Sequence, residues 1–310
     1  MTGTHASLRR ARPQLGTFVE IVASGATIPE MEAAVEAAFA AVATVHRLMS
    51  FHEAASDVSR LNRGAASGAV PVHDWTYQVL ETALDLHCRS AGTFDIAVAP
   101  ALQEMGLLPS APLPPSPRKS RGRVQKAHGP RGVIELLPKN HVRFADPGVK
   151  IDLGGIAKGF AVDRAVETLC RHGVPNGLVN AGGDVAAFGP RRQLVDVRDP
   201  RHPDRTMCRV VLTNSALASS AGRFDPLRSD RPSGSAIVDP RTGQPSLSIC
   251  GTTVRAPSCM IADALTKVVM NAGEGTASLL EHYGASALFV TAQGRLHATT
   301  DWKDEVRFAA

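Results

Sequence analysis

Aromatic side chains are scarce in this chain: ten Phe, two Trp and two Tyr make up 5% of 310 residues. So thin a supply of flat rings gives no support to a protein that stacks single-stranded bases, and no nucleic-acid partner is expected. Cysteine is also sparse. Cys88, Cys170, Cys208, Cys250 and Cys259 are odd in number and include no CxxC pair. That excludes a disulfide framework and a zinc-ribbon pattern, and it suits a reducing compartment. No run of about 18 apolar residues occurs, so no membrane-spanning helix is expected. The N-terminal stretch MTGTHASLRRARPQLGTF carries neither an apolar core nor a lipid-acceptor cysteine. A cytoplasmic protein is therefore expected. The G-x-G-x-x-G of dinucleotide folds and the G-x-S-x-G of serine hydrolases are both missing.

What is present describes a folded protein. Hydrophobic residues at 44% and charged residues at 20% are ordinary for a globular chain. Its length allows one large domain or two of average size. The net charge of +5 comes from one place. Between Ala111 and Gly132 stand Arg118, Lys119, Arg121, Arg123, Lys126 and Arg131, with no acid among them. Prolines and the lack of apolar periodicity mark this segment, residues 111–132, as a solvated loop or insert.

Periodicity places the elements. Thr17 to Ala23 alternates like a strand, and Pro29 opens a long alanine-rich helix with an apolar face. Asp74 is read as the cap of a second helix ending near Arg89. Val133 to Leu137 and His141 to Phe144 form a hairpin pattern. A helix over 155–172 is followed by short strands at 177–180, 185–188, 194–198 and 208–212. Helices over 261–271 and 276–282 and a strand over 287–291 close the chain. Strands that neighbour one another, rather than alternating regularly with helices, predict an α+β fold with antiparallel sheets.

The chemistry concentrates in a few segments. In VKIDLGGIAKGFAVDRAVETL, from Val149, a β-type run breaks at Gly154-Gly155 and enters an amphipathic helix. Unpaired N–H groups at such a helix start, with the Lys158 charge one turn on, suit a phosphate or pyrophosphate. An ordinary turn with a solvated lysine has the same sequence. A second glycine turn, LVNAGGD, holds Asn180, Gly182, Gly183 and Asp184. IVDPRTG, from Ile237, is a proline-glycine turn, and SCMIADAL, from Ser258, a helix start bearing Asp263.

With Leu15-Gly16-Thr17 and MSFHEAASDVSRLN from Met49, these segments resemble the ApbE family of FAD:protein FMN transferases. The resemblance implies a single domain over about 14–306, with FAD in a cleft between two intertwined lobes. It implies that FMN passes from FAD to a threonine of an acceptor protein, with release of AMP. Met49 to His52 would lie along the adenine, His52 standing where relatives place a tyrosine; Met49 and Phe51 read equally well as core. Asp95 and Asp152 would bind ribose or base edges, or else tie loops through backbone hydrogen bonds. Ser219 and Ser220 match loosely a flavin- or acceptor-contacting segment.

Two positions depart from the family pattern. Magnesium is implied on Asp263, on the Ala157 carbonyl and on a hydroxyl four residues after the aspartate, where this chain has Lys267. An ammonium there either pairs with Asp263 and fills the cation position or neutralises the pyrophosphate itself, and Thr266 is the nearest substitute hydroxyl. The second departure is Ala236, where the family has a histidine that takes the acceptor's proton. Asp239 and Ser235 are the nearest replacements. The rival readings are a flavin-binding protein that has lost transfer and a slow FAD pyrophosphatase.

Overall fold

The computed structural model describes residues 6–109, 133–222, 237–299, 302 and 306–308. The basic segment 111–132, and with it Ser235 and Ala236, lies outside the described residues. In chain order the elements are β1 (Ser7–Gln14), β2 (Thr17–Ser24), α1 (Ile28–Met49), α2 (Asp57–Gly64), β3 (Val70–Pro71), α3 (Asp74–Arg89) and α4 (Ala99–Glu104). There follow β4 (Ile134–Leu137), β5 (His141–Phe144), α5 (Ala157–Arg171), β6 (Asn176–Ala181), β7 (Asp184–Phe188), β8 (Gln193–Arg198), β9 (Thr206–Leu212) and β10 (Ser215–Ala221). The chain ends with β11 (Val238–Asp239), β12 (Gln244–Pro245), β13 (Ile249–Ala256), α6 (Cys259–Ala272), α7 (Ala277–His282), β14 (Ser286–Thr291), β15 (Leu296–Ala298) and β16 (Val306–Phe308).

The fold is α+β as expected. An antiparallel sheet of eight strands runs β1-β2-β6-β7-β10-β13-β14-β15. Helices α5 and α6 pack on one face of it and α1 packs on α5. The other face of the central strands meets a small sheet, β16-β9-β8. There Val185, Ala187, Leu217 and Leu288 bury themselves against Val197, Cys208, Val210, Leu212 and Trp302. β7 is consequently buried on both faces, which is why DVAAF reads as a continuous apolar run.

Helix α1 forms because Met31, Ala34, Val35, Ala38, Phe39, Val42, Val45 and Met49 repeat at helical spacing and all are buried. Glu30 closes its first turn by accepting the Thr27 N–H at 2.9 Å and the Thr27 hydroxyl at 2.7 Å. Met49 is therefore core. The cap of α3 is not Asp74 but His73, whose Nδ1 accepts the Trp75 N–H at 3.1 Å. Asp57, buried at the start of α2, fixes that corner by accepting the His73 N–H at 2.8 Å and the Thr76 hydroxyl at 2.7 Å.

Strands β1, β10 and β13 were not evident from periodicity. In β1 only Leu8 is buried, and Arg9, Arg10 and Arg12 pair with Glu20, Glu32 and Glu36 along an exposed edge. Charges on an edge strand discourage pairing with another chain, and they also hide the alternation. β10 reads SALASSA, poor in the usual strand formers, because its small Ala216 and Ala218 join the core shared with α6.

Candidate active site

Helix α6 organises a cavity of about 430 Å³. Asp263, Lys267 and Asn271 recur every four residues, so they form one stripe along the helix. Lys267 and Asn271 line the cavity, while Asp263 lies beneath with no exposed surface. The opposite wall is apolar, built by Phe94, Ile96, Val98, Leu102, Leu107 and Leu108. Asp152, Gly154, Gly155 and Lys158 supply a polar floor, and Ser220 stands at the end of β10. A charged floor facing an apolar wall suits a ligand with an anionic part and a flat apolar part.

The floor is not a strand entering a helix. Val149 to Leu153 is neither helix nor strand, although Ile151 and Leu153 are buried in alternation. It is held instead by Asn62 of α2, whose Nδ2 donates to the Ile151 carbonyl at 2.9 Å and whose Oδ1 accepts the Ile151 N–H at 2.8 Å. Asp152 donates its N–H to the Ile96 carbonyl at 2.8 Å, and its carboxylate accepts the Gly154 N–H at 3.0 Å. The Ile156 and Ala157 N–H groups go to the Leu153 carbonyl. The N–H of Gly159 goes to Asp263 at 3.1 Å. Gly155 and Lys158 therefore keep the N–H groups that the turn can offer a ligand.

Under the floor lies a set of paired charges. Lys158 is hydrogen-bonded to Asp184 and stands 3.9 Å from Asp263 Oδ1. The Lys267 ammonium is bonded to the Asp263 carboxylate and reaches the Asp263 carbonyl at 3.1 Å. Burial pushes the Asp263 carboxyl up, but the Lys158 and Lys267 charges outweigh it and hold it below the usual range. Asp184 is pushed up to about 6 by burial and by the Asp263 charge. Burial works against the Lys158 ammonium, yet Asp263 and Asp184 overcome it and raise its pKa. Asp163 of α5 completes the set by accepting the Cys259 and Met260 N–H groups at 2.8 and 2.9 Å, which anchors the start of α6.

Two residues of the cavity carry further polar chemistry. Asn271 donates through Nδ2 to the Thr93 and Val238 carbonyls at 3.3 and 3.1 Å. Two carbonyl partners fix the orientation of the amide, and its buried Oδ1 then faces no donor. Asp95 is pushed up to about 6 by burial, against the Ala97 N–H that it accepts at 2.7 Å. Its contribution to stability is full below the unfolded value near 3.8 and is lost as pH rises through about 6. Asp95→Asn can keep the Ala97 bond without the charge. The variant's unfolding free energy, measured in urea and compared with wild type, gains up to roughly 3 kcal/mol between about pH 4 and pH 7. A difference that does not change with pH would contradict this assignment.

Of the residues expected to contact a flavin, Asp95, Gly154, Gly155, Lys158 and Ser220 are brought together on the cavity. His52 is exposed and outside the lining. Gly182 and Gly183 form a two-residue hairpin turn between β6 and β7, with Asn180 near the end of β6, and all three stand away from the lining. Gly182 and Gly183 have φ of +65° and +101°, and Asn180 Oδ1 accepts the Gly183 N–H at 3.0 Å. Asp184 serves Lys158 beneath the cavity. Ser219 projects to the other face of β10, where its hydroxyl meets that of Thr253 at 2.9 Å.

Asp239 does not reach the cavity, although Val238 and Pro240 on either side do. Its carboxylate is gripped by Arg241 at 3.0 and 2.8 Å and held below the usual range chiefly by that bond. Asn271 and the leucines of the apolar wall escaped sequence reasoning. The four-residue spacing from Asp263 was a signal for Asn271; the segment holding Leu107 and Leu108 reads as a loop and gives none.

The donors implied for magnesium do not fit a divalent ion in this chain. Both Asp263 carboxylate oxygens are engaged, one by Lys267 and one by the Gly159 N–H. The Thr266 hydroxyl donates to the Asp263 carbonyl at 2.6 Å and meets Ser220 Oγ at 2.8 Å. Ala157 is 9% exposed at the first residue of α5. A doubly charged ion about 4 Å from either ammonium would be repelled by on the order of 8 kcal/mol at an effective dielectric of about 20. Among the described residues no group of three or more His, Cys, Asp or Glu side chains is arranged to hold a metal ion. Nor is any described helix long and apolar enough to cross a membrane.

Comparison with known proteins agrees with this architecture. The sequence matches the ApbE family over residues 15–289. It is 29% identical over 320 residues to the FAD:protein FMN transferase of Treponema pallidum (strain Nichols), with 96% of this chain and 88% of the relative covered. The crystal structure of the ApbE protein from Thermotoga maritima superposes with a TM-score of 0.83 at 28% identity, covering 96% of this chain and 98% of that one. The flavin transferase ApbE from Vibrio cholerae shares the fold, with a TM-score of 0.76 at 23% identity over 97% and 99% of the two chains.

Proposed function

The chain belongs to the ApbE family, and from that premise we propose that its cavity binds FAD and passes FMN to a threonine hydroxyl of an acceptor protein. The observation that carries this reading is the two-sided cavity on α6, with Gly155, Lys158 and Lys267 on its floor and Phe94, Ile96 and Leu102 opposite. Basic side chains and free N–H groups suit the pyrophosphate, and the apolar wall suits a flat ring. Five unpaired cysteines support a reducing, cytoplasmic address.

In the transfer, the threonine oxygen attacks the FMN phosphorus, a phosphorus–oxygen bond forms, and the bond to the AMP oxygen breaks. AMP leaves with the electron pair of that bond. This chemistry is mostly positioning and charge stabilisation, which the lysines on α5 and α6 supply. The hydroxyl proton needs an acceptor, and Ala236 cannot be one. Asp239 is occupied by Arg241, whereas Asp95 lines the cavity with a pKa of about 6, close to the value that favours proton transfer near neutrality. Asp95 is accordingly assigned that role.

The test is AMP release from FAD, followed chromatographically with and without a peptide carrying an acceptor threonine. AMP that appears with the peptide, and falls by about 10²-fold or more in Asp95→Asn while FAD affinity is retained, supports the reading. FAD bound without AMP in either case would leave a binding protein. AMP formed equally without peptide would make the chain a pyrophosphatase.

A further inference from the structure

We propose that the Lys267 ammonium is a built-in cation standing where a divalent ion would neutralise the ligand's phosphates, so that this cavity binds FAD without divalent metal. The inference rests on the flavin reading above and concerns how that ligand's charge is met.

The geometry of one side chain carries it. Lys267 leaves α6 and lies over the glycine turn: a Cβ placed on Gly155 would stand 3.6 Å from Lys267 Cε and 3.7 Å from its Cγ. The chain is thus laid along the floor at the point where the turn offers its N–H groups. Its ammonium is bonded to the Asp263 carboxylate and, at 3.1 Å, to the Asp263 carbonyl. An ammonium has three N–H donors, and these two acceptors use two of them. The third remains for a ligand on the cavity side, where the Lys267 side chain keeps 19% of its surface exposed.

Electrostatics point the same way. Lys158 is balanced by Asp184 and Lys267 by Asp263, so the floor is complete before any ligand arrives. A divalent ion would have to displace an ammonium from a fully buried carboxylate. The pyrophosphate, in contrast, meets the N–H donors of two ammonium groups that their carboxylates already hold in place. Because the cation is tethered, it cannot be removed by a chelator.

FAD titration followed by quenching of flavin fluorescence, in EDTA and then in excess Mg²⁺, tests this directly. Wild type is expected to bind with a Kd that agrees within about twofold in the two buffers. Lys267→Met, which keeps the length and loses the charge, weakens binding about tenfold or more in both. Lys267→Thr, which clears the cation position and restores a hydroxyl, weakens it in EDTA and regains it in Mg²⁺. Calorimetric titration with Mg²⁺ alone gives no binding heat for wild type, and circular dichroism establishes that each variant is folded.

A wild-type Kd that tightens about tenfold or more on adding Mg²⁺ overturns the proposal, as does Lys267→Met binding like wild type in EDTA. If either variant fails to fold, the wild-type pair of titrations decides alone. Wild type that takes up no FAD in either buffer defeats the flavin reading itself and this inference with it, an outcome distinct from Mg²⁺-dependent binding, which defeats only the inference.

Discussion

Replacing Asp263 by alanine lowers the unfolding free energy by about 3 kcal/mol in a urea titration. Asp263 is the shared counter-ion of two lysines, bonded to Lys267 and 3.9 Å from Lys158, and its other oxygen accepts the Gly159 N–H at 3.1 Å. Removing it strands the Lys267 ammonium, leaves Lys158 with Asp184 alone, and leaves one buried N–H without an acceptor. Loss of one partner of a buried ion pair commonly costs about 3–5 kcal/mol. The lower figure applies because the Lys158 and Lys267 side chains keep 34% and 19% of their surface exposed and can turn toward solvent. Asp263→Asn can retain the bond to Gly159 and loses less. Adding Lys267→Met to Asp263→Ala removes the stranded charge, so the double variant is more stable than the sum of the single effects requires. Strict additivity, or a loss below about 1 kcal/mol for Asp263→Ala, would show that the charges are not coupled as described.

Gly159→Ala is expected to cost at least about 3 kcal/mol and to disrupt the cavity with the fold. A Cβ at this position would stand 2.2 Å from the Cys259 carbonyl oxygen, 2.6 Å from its carbon and 2.8 Å from Asp263 Cβ. The first two are backbone atoms at the start of α6, which Asp163 holds in place, so no side chain can rotate away. Relief would require α5 and α6 to separate, and with them Lys158 from Asp263. Gly155→Ala is the contrasting case. Its Cβ meets only the Lys267 chain, at 3.6 Å, an ordinary contact. Its unfolding free energy is expected within about 0.5 kcal/mol of wild type, so equal effects at the two glycines would contradict the account.

How far the site could be read beforehand differed from segment to segment, for physical reasons. The Asp263–Lys267 pair follows from the helical repeat, because side chains four residues apart face one another across a turn. Asp263 and the glycine turn were likewise visible as motifs. LVNAGGD was visible but ambiguous. Two consecutive glycines offer backbone to a ligand or permit positive φ in a hairpin; here both have positive φ, and the turn places Asp184 against Lys158.

Val149 to Leu153 shows the limit of periodicity. Alternating burial gives it the pattern of a strand, yet its partner is the Asn62 side chain, 89 residues earlier, and nothing in a local window indicates such a tie. Ser219 and Ser220 looked equivalent as sequence, and only the pleat of β10 sends one to the cavity and the other to Thr253. The fold was read in outline because amphipathic helices such as α1 announce themselves. β1 was hidden by its arginines and β10 by its small residues, since the first is patterned for an exposed edge and the second for a close-packed helix.

The measurement that bears most directly on the central claim is the mass of a threonine-bearing acceptor peptide after incubation with the purified protein and FAD. The account predicts a gain of one FMN on the threonine, matched mole for mole by AMP, in wild type and not in Asp95→Asn. A peptide of unchanged mass, under conditions where FAD is demonstrably bound, would contradict it and leave a cavity that holds the flavin without passing it on.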